Sequence, residues 1–101
     1  MINYKFYLDN GIADFQRGKF ESAIEHITKS IEMKNDFAVS YFYRGACYHS
    51  LEEYDEAMMD YTKAISIDKN MTDAYYNRAK IILTRKDIDN PKIENAINDL
   101  E

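Results

Sequence analysis

The residues best suited to chemistry in this chain of 101 residues are two histidines and one cysteine, and their spacing does not assemble a site. His26 and His49 fall on different predicted helices, with no cysteine or paired carboxylate at the spacing of metal ligands. Cys47 is the only cysteine, so we expect no internal disulfide and interpret it as a small buried side chain. We therefore predict no metal site, and we interpret both histidines as surface or groove residues.

An acidic stretch near the C-terminus begins like a calcium-binding loop. Asp87 and Asp89 have the right spacing, but Pro91 and Lys92 stand where such a loop needs a ligand and a turning glycine. Asn98 stands where the loop needs a bidentate glutamate. The sequence also has no nucleophile motif and no glycine loop for phosphate. We predict no catalytic residue, no cofactor and no enzymatic activity.

The strongest pattern in the sequence is a regular repetition of residue types, with a period of about 34 residues. Aromatic and small residues recur at this interval, namely Tyr7, Tyr41 and Tyr75, and Gly11, Gly45 and Ala79. Such a period indicates a solenoid of two-helix units, because no unit can bury its apolar face alone. Apolar spacing predicts first helices near 4–17, 38–51 and 73–86, and second helices near 20–34, 54–67 and 91–101. Gly18 is suited to end the first helix in a left-handed conformation.

The residues that carry this period resemble those of the tetratricopeptide repeat. The middle unit matches best through its aromatic and small positions, Tyr41, Gly45, Tyr48, Ala57, Tyr61 and Ala64. The third unit differs, because the interval from Tyr75 to Ala96 is longer than the interval from Tyr41 to Ala57 by an insertion of five residues. The resemblance implies an all-α solenoid of antiparallel helix pairs, about six helices in a right-handed superhelical stack. We expect a single domain over 1–101, with units of about 4–37, 38–71 and 72–101.

The resemblance further implies that function lies on a concave surface lined by the first helices, where similar proteins hold an extended peptide or a partner's helix. The family's groove positions correspond to Leu8, Asp9, Ile12, Phe15, Phe42, Tyr43, Ala46, His49, Tyr76, Asn77, Lys80 and Leu83. Among these, we expect Ala46 and Leu83 to be core residues. We expect Phe42, Tyr43 and Tyr76 to be exposed, because large aromatic side chains supply binding area at low entropic cost.

One subclass of the family grips the C-terminal carboxylates of heat-shock chaperones through Lys, Arg and Asn side chains. The corresponding positions in this sequence are Leu8, Ile12, Tyr43, Asp73 and Asn77. None of them is a cation, and Asp73 would repel a carboxylate. We therefore predict a protein-interaction module that is not a carboxylate clamp and whose partner presents apolar side chains.

Arg44 and Arg78 occupy equivalent positions where the family usually has leucine. We expect their methylene stems to pack between helices while each guanidinium reaches a carboxylate on a neighbouring helix. The sequence does not identify that carboxylate.

The net charge of −5, with Lys and Arg scattered among carboxylates, argues against a nucleic-acid partner. No apolar run approaches the length of a membrane span, and no charged-then-apolar leader opens the chain. The single cysteine favours a reducing compartment, so we expect the cytoplasm.

An architectural role is the alternative to a binding module. In that case the chain is a segment of a longer solenoid or a regulatory arm. Three apolar residues of the last predicted helix, Ile93, Ile97 and Leu100, recur on one face and have no capping helix after them. We expect this face to support end-to-end or swapped dimerisation in the alternative role.

Overall fold

Residues 2–86 are described by a computed structural model, with the backbone but not the side chain of Lys86. Over this range the chain forms five helices and no strand, which we number α1 to α5. They are α1 (Tyr4–Gln16), α2 (Phe20–Met33), α3 (Ala38–Ser50), α4 (Tyr54–Ile67) and α5 (Thr72–Lys86). The all-α prediction is confirmed, and each predicted helix in this range begins and ends within one residue of the observed bounds. No helix in this part of the chain combines the length and the apolar character needed to cross a membrane.

Several predictions concern residues outside the described range. The sixth predicted helix, 91–101, carries the proposed self-association residues Ile93, Ile97 and Leu100, and all of it lies beyond residue 86. The stretch resembling a calcium loop lies there too.

Short turns join the helices into antiparallel pairs, and glycine and alanine occupy the points where the paired helices cross. A methyl group on Gly45 would lie 3.0 Å from the ring of Tyr61 and 3.3 Å from the carbonyl oxygen of Ala57. A methyl group on Gly11 would overlap Ile27 in the same way in the first pair. The partner alanine Ala57 is fully buried. The small residues that carry the sequence period therefore allow close helix crossings.

The core consists of two clusters that meet between the repeats. The first cluster contains Leu8, Ala23, Ile27 and Cys47, so it joins α1 and α2 to α3. The second contains Ala38, Tyr41, Ala57, Tyr61, Ala64, Ala74 and Ile81, so it joins α3 and α4 to α5. Cys47 is fully buried, as predicted, and burial raises the pKa of its thiol to about 12. The thiol is therefore protonated and unreactive at neutral pH.

The turns within the two complete pairs share one backbone conformation. Gly18 has φ of 78° and confirms the predicted left-handed helix end, where its N–H donates to the carbonyl of Phe15. Glu52 occupies the equivalent position in the second pair with φ of 60°, and its N–H donates to the carbonyl of His49. A glutamate tolerates this conformation only at a cost, because its Cβ crowds the backbone.

Arg44 forms a paired ionic contact between α3 and α4. Its Nε and Nη2 donate to the two carboxylate oxygens of Asp60 at 2.8 and 2.9 Å, and its Nη1 donates to the hydroxyl of Thr28 at 3.2 Å. Asp60 raises the pKa of the guanidinium further above its usual range. The predicted carboxylate partner of Arg44 is thus confirmed. Within residues 2–86 the partner of Arg78 is the hydroxyl of Thr62, at 3.3 Å, rather than a carboxylate.

Candidate functional site

The inner face of the stack is lined by the first helix of each pair. Among the described helices, α1 contacts α3 and α3 contacts α5, whereas α2 and α4 do not approach each other. A stack whose first helices lie closer together than its second helices curves toward the first helices. Therefore α1, α3 and α5 form the concave side.

The exposure of three residues at groove positions, Leu8, Ala46 and Leu83, tests the predictions made for them. Leu8 is only 5% exposed and belongs to the core, so its side chain is not available to a partner, and this prediction is wrong. Ala46 is 9% exposed, which confirms its assignment to the core. Leu83 is 57% exposed, which contradicts the expectation that it is a core residue. The inner face therefore gains Leu83 and loses Leu8.

The other predicted groove residues on α1 and α5 range from half-buried to exposed. Tyr76 is 63% exposed, and the ammonium of Lys80 lies 5.3 Å from the centre of its ring, a cation–π contact. Asp9 is also exposed. Ile12 and Phe15 are half-buried, because they also pack against the first core cluster. The inner face thus combines half-buried apolar side chains, Ile12 and Phe15, with the exposed side chain of Tyr76.

Phe42 and Tyr43 form the aromatic centre of the inner face. Their rings meet edge to face with centroids 5.3 Å apart. Phe42 also packs on Tyr61, and Tyr43 packs edge-on against Phe15. Both are half-buried rather than fully exposed, so the structure modifies the expectation for these two residues. Their packing holds both rings in place before any partner arrives, which lowers the entropic cost of binding.

A cavity of about 220 Å³ opens beside these rings. It is lined by Val39, Phe42 and Tyr43 from α3, by Met71 in the turn before α5, and by Asp73 in the first turn of α5. The resemblance had not assigned Val39 and Met71 to the groove. The sequence period could have identified Val39, because Lys5, Val39 and Asp73 are 34 residues apart and therefore occupy equivalent positions on the first helices. No comparable signal marks Met71, which follows α4 outside any helix.

A polar network lies at the opposite end of the aromatic centre. His49 Nδ1 lies 3.3 Å from the hydroxyl of Tyr61, and the Asn77 amide donates to the same hydroxyl at 3.4 Å. Burial lowers the pKa of His49, and the charge of Lys80 lowers it further. Burial also raises the pKa of Tyr61 to about 12. At neutral pH this end therefore offers uncharged hydrogen-bonding groups next to the ammonium of Lys80.

His26 belongs to a separate polar cluster between α1 and α2. Its Nδ1 lies 2.9 Å from Asp14 Oδ2, and Ser22 Oγ donates to the same oxygen at 2.7 Å. The hydrogen bond from Ser22, together with His26, lowers the pKa of Asp14. The sequence did not reveal Asp14 as a partner because the contact crosses two helices. Since Ser22 donates to the carboxylate and not to the histidine, the arrangement does not activate a nucleophile.

Neither histidine belongs to a cluster suited to a metal ion in the described part of the chain. Within residues 2–86, no three histidine, cysteine, aspartate or glutamate side chains come together in a group able to hold one. His26 and His49 instead make the contacts with Asp14 and Tyr61 given above.

Comparison with known proteins identifies the repeat. A family model described as the tetratricopeptide repeat matches residues 38–71. Human DnaJ homolog subfamily C member 7 is 31% identical over 67 residues, which cover 66% of this chain and 14% of that protein. Protein unc-45 homolog B of Danio rerio is 38% identical over 77 residues, which cover 71% of this chain and 8% of that protein. The chain thus spans only a small part of the length of these relatives.

Solved structures agree with the sequence relatives. The crystal structure of MamA has 26% sequence identity and a TM-score of 0.80, with coverage of 82% of this chain and 48% of that one. The second TPR domain of Spaghetti (RPAP3), solved with the HSP90 peptide SRMEEVD, has 28% identity and a TM-score of 0.79. That match covers 97% of this chain and 86% of the domain. The period of the sequence, the paired helices and these matches show that the chain belongs to the tetratricopeptide repeat family.

Proposed function

We propose that this chain is a protein-interaction module that holds an extended segment of a partner protein in the groove formed by α1, α3 and α5. The observation that carries this proposal is the pre-packed aromatic pair Phe42 and Tyr43 beside an open cavity, with exposed Tyr76 on α5. Rigid aromatic side chains next to an unfilled cavity are typical of binding hot spots. A binding role also agrees with the related RPAP3 domain, which was solved with a peptide.

The proposed partner segment is not an acidic chaperone tail. The peptide bound by the related RPAP3 domain, SRMEEVD, is rich in carboxylates. Recognition of carboxylates requires fixed cationic donors. In this chain the corresponding positions include buried Leu8, aromatic Tyr43 and the carboxylate of Asp73. The groove therefore lacks the cations at these positions and presents apolar and aromatic surface instead.

The test is selection from a random peptide library displayed on phage, followed by affinity measurements on synthetic copies of the selected peptides. Tyr76→Ala removes a side chain that is 63% exposed, so we expect weaker binding and unchanged helicity. Met59→Ala is the matched control, because Met59 is 72% exposed on the second helix α4. Peptides that bind Tyr76→Ala as tightly as the unaltered chain would contradict the proposed groove.

Phe42→Ala is a poorer probe than Tyr76→Ala. Phe42 packs against the second core cluster, so its removal lowers stability as well as any affinity. Nuclear magnetic resonance provides a second readout without substitution. Selected peptides should shift the amide signals of α3 and α5 more than those of α2.

A cytoplasmic location and self-association through Ile93, Ile97 and Leu100 remain proposals. The second is tested by light scattering over a range of concentrations, with Ile97→Asp as the variant. A concentration-dependent mass that the aspartate abolishes is the expected result. A monomer at all concentrations would contradict it.

A further inference from the structure

We infer that the cavity beside Phe42 and Tyr43 selects a cationic side chain, arginine above all, from the partner segment. This inference rests on the proposed function and names the chemistry that the groove recognises. It reverses the charge preference of the carboxylate-gripping domains. Four kinds of observation carry it: the size of the cavity, its walls, the carboxylate of Asp73 and the placement of Asp73 and Lys80 along α5.

The size of the cavity fits one side chain. Its volume of about 220 Å³ lies below the range of roughly 300–1,000 Å³ that is usual for small-molecule sites. It is open to solvent along the inner face, where a partner segment would run. A single side chain that projects from an extended segment therefore matches it better than a separate ligand does.

The walls of the cavity suit the stem of a long basic side chain. Val39, Phe42, Tyr43 and Met71 present only apolar and aromatic surface, apart from the tyrosine hydroxyl. Lysine and arginine bury their methylene groups along such surface while the charged head reaches a polar partner. A guanidinium also stacks on aromatic faces, which an aliphatic side chain cannot do.

Asp73 supplies the charged partner at the rim of the cavity. Among the lining residues within 2–86 it alone has a carboxylate, and it is exposed. None of the ion pairs formed within residues 2–86 involves Asp73. Asp73 lies in the first turn of α5, where the positive end of the helix dipole stabilises its carboxylate. The charged carboxylate can still pair with a cation.

The distribution of charge over the rest of the groove gives the bound segment a direction. Lys80 stands two helical turns along α5 from Asp73, about 10 Å away by the rise of an α-helix. The end with Asp73 therefore favours a cation, and the end with Lys80 and Asn77 favours an acceptor such as a carbonyl group. The net charge of −5 belongs mostly to residues 87–101, so the local carboxylate of Asp73 and not the overall charge of the chain carries the cationic preference.

The experiment uses the same random peptide library, selected separately on the unaltered chain and on Asp73→Lys. We expect the unaltered chain to enrich peptides with arginine or lysine next to apolar residues, and Asp73→Lys to lose that enrichment. For a fluorescein-labelled selected peptide, Asp73→Asn should weaken binding by about two- to fivefold, the effect of one exposed ion pair. Asp73→Glu should retain most of the affinity. Glu25→Gln, which removes an exposed carboxylate from the second helix α2, should have no effect.

Salt dependence supplies an independent readout. Added salt should weaken binding to the unaltered chain more than binding to Asp73→Asn, because it screens the ion pair. Circular dichroism checks that the Asp73 variants keep their helices.

The outcomes separate this inference from the proposed function. If peptides bind in a manner sensitive to Tyr76→Ala but show no basic preference, or bind Asp73→Asn equally well, the cationic specificity is wrong and the groove stands. If no selected peptide is sensitive to Tyr76→Ala, both proposals are wrong. Enrichment of acidic peptides by the unaltered chain would also overturn the inference.

Discussion

The first and second helix pairs have the same backbone design but connect their helices with different chemistry. Asp14 on α1 accepts hydrogen bonds from Ser22 and His26 on α2. In the second pair, Arg44 on α3 grips Asp60 on α4. His26 and Asp60 are equivalent positions, one repeat period apart, so the second helix supplies the histidine in one pair and the carboxylate in the other. The repeat thus preserves the position of the polar contact on the second helix only, because the period relates Asp14 to Tyr48 and Arg44 to Asn10.

The two contacts also differ in burial, and this difference predicts how much stability the chain loses when each contact is removed. The side chain of Asp60 is 8% exposed and that of Arg44 is 20% exposed, whereas the side chain of His26 is 35% exposed. A buried charge that loses its partner is costly, because the low-dielectric interior cannot replace the lost hydration. The second pair therefore depends more on its polar contact than the first pair does.

Removal of the carboxylate in the second pair should have the largest effect. We expect Asp60→Ala to lower the free energy of unfolding by about 2–4 kcal/mol, since it leaves the half-buried guanidinium of Arg44 without its partner. The equivalent change His26→Ala should cost clearly less. Urea unfolding of both variants measures the difference. Equal costs would show that burial does not distinguish the two contacts.

A double substitution sharpens the same comparison. Replacing Arg44 by methionine and Asp60 by leucine together should recover much of the stability lost in Asp60→Ala, because no uncompensated charge remains. If the double variant is as unstable as the single one, the loss arises from packing and not from the orphaned charge.

The close helix crossings should respond alike in the two pairs. Ala23→Leu and Ala57→Leu should each cost roughly 1–3 kcal/mol by overpacking, because both alanines are fully buried. Ser66→Leu, at an exposed position of α4, serves as the control and should change stability little. Thermal unfolding followed by circular dichroism measures all three variants. If either alanine substitution has no effect, that pair does not cross closely.

The equivalent turns predict changes of opposite sign. Glu52→Gly should stabilise the chain by about 0.5–1 kcal/mol, since glycine adopts the left-handed conformation without strain. Gly18→Ala should destabilise it by about 1–2 kcal/mol. Beyond Gly18 and its two chain neighbours, no heavy atom of the described residues lies within 4 Å of where a Cβ on Gly18 would stand, so this effect is due to the backbone alone. Urea midpoints give both values, and a destabilised Glu52→Gly would contradict a shared turn.

The smallest expected effect is a pH dependence that originates in the first pair. The pKa of Asp14 is lowered in the folded state by the hydrogen bond from Ser22 and then by His26. Its contribution to stability is therefore present above the unfolded value of about 3.9 and is lost as the pH falls through the folded pKa. Ser22→Ala should reduce this loss between neutral and acidic pH. Urea unfolding at several pH values tests it, and an unchanged acid dependence would exclude Ser22 as the main cause.

Much of the candidate site could be predicted from the sequence because the repeat determines which residues share a face. The period assigned Phe42, Tyr43 and Tyr76 to the first helices, and all three lie there. It did not predict how deeply each is buried. Leu8 and Leu83 hold groove positions in different units, yet one is 5% and the other 57% exposed. Exposure depends on which neighbouring helix covers a position, and a single period contains no information about that.

The sequence by itself determined the helices, their pairing and the close crossings, because each follows from local spacing of apolar, small and aromatic residues. Only the tertiary structure decided which charged residues meet. Asp60 became the partner of Arg44, and Asp14 became the partner of His26, across helices that the chain brings together. The tertiary structure also created the cavity between α3 and the start of α5, where Met71 and Asp73 join Phe42. Periodicity specifies directions around a helix axis, whereas contacts depend on distances between axes that only packing sets.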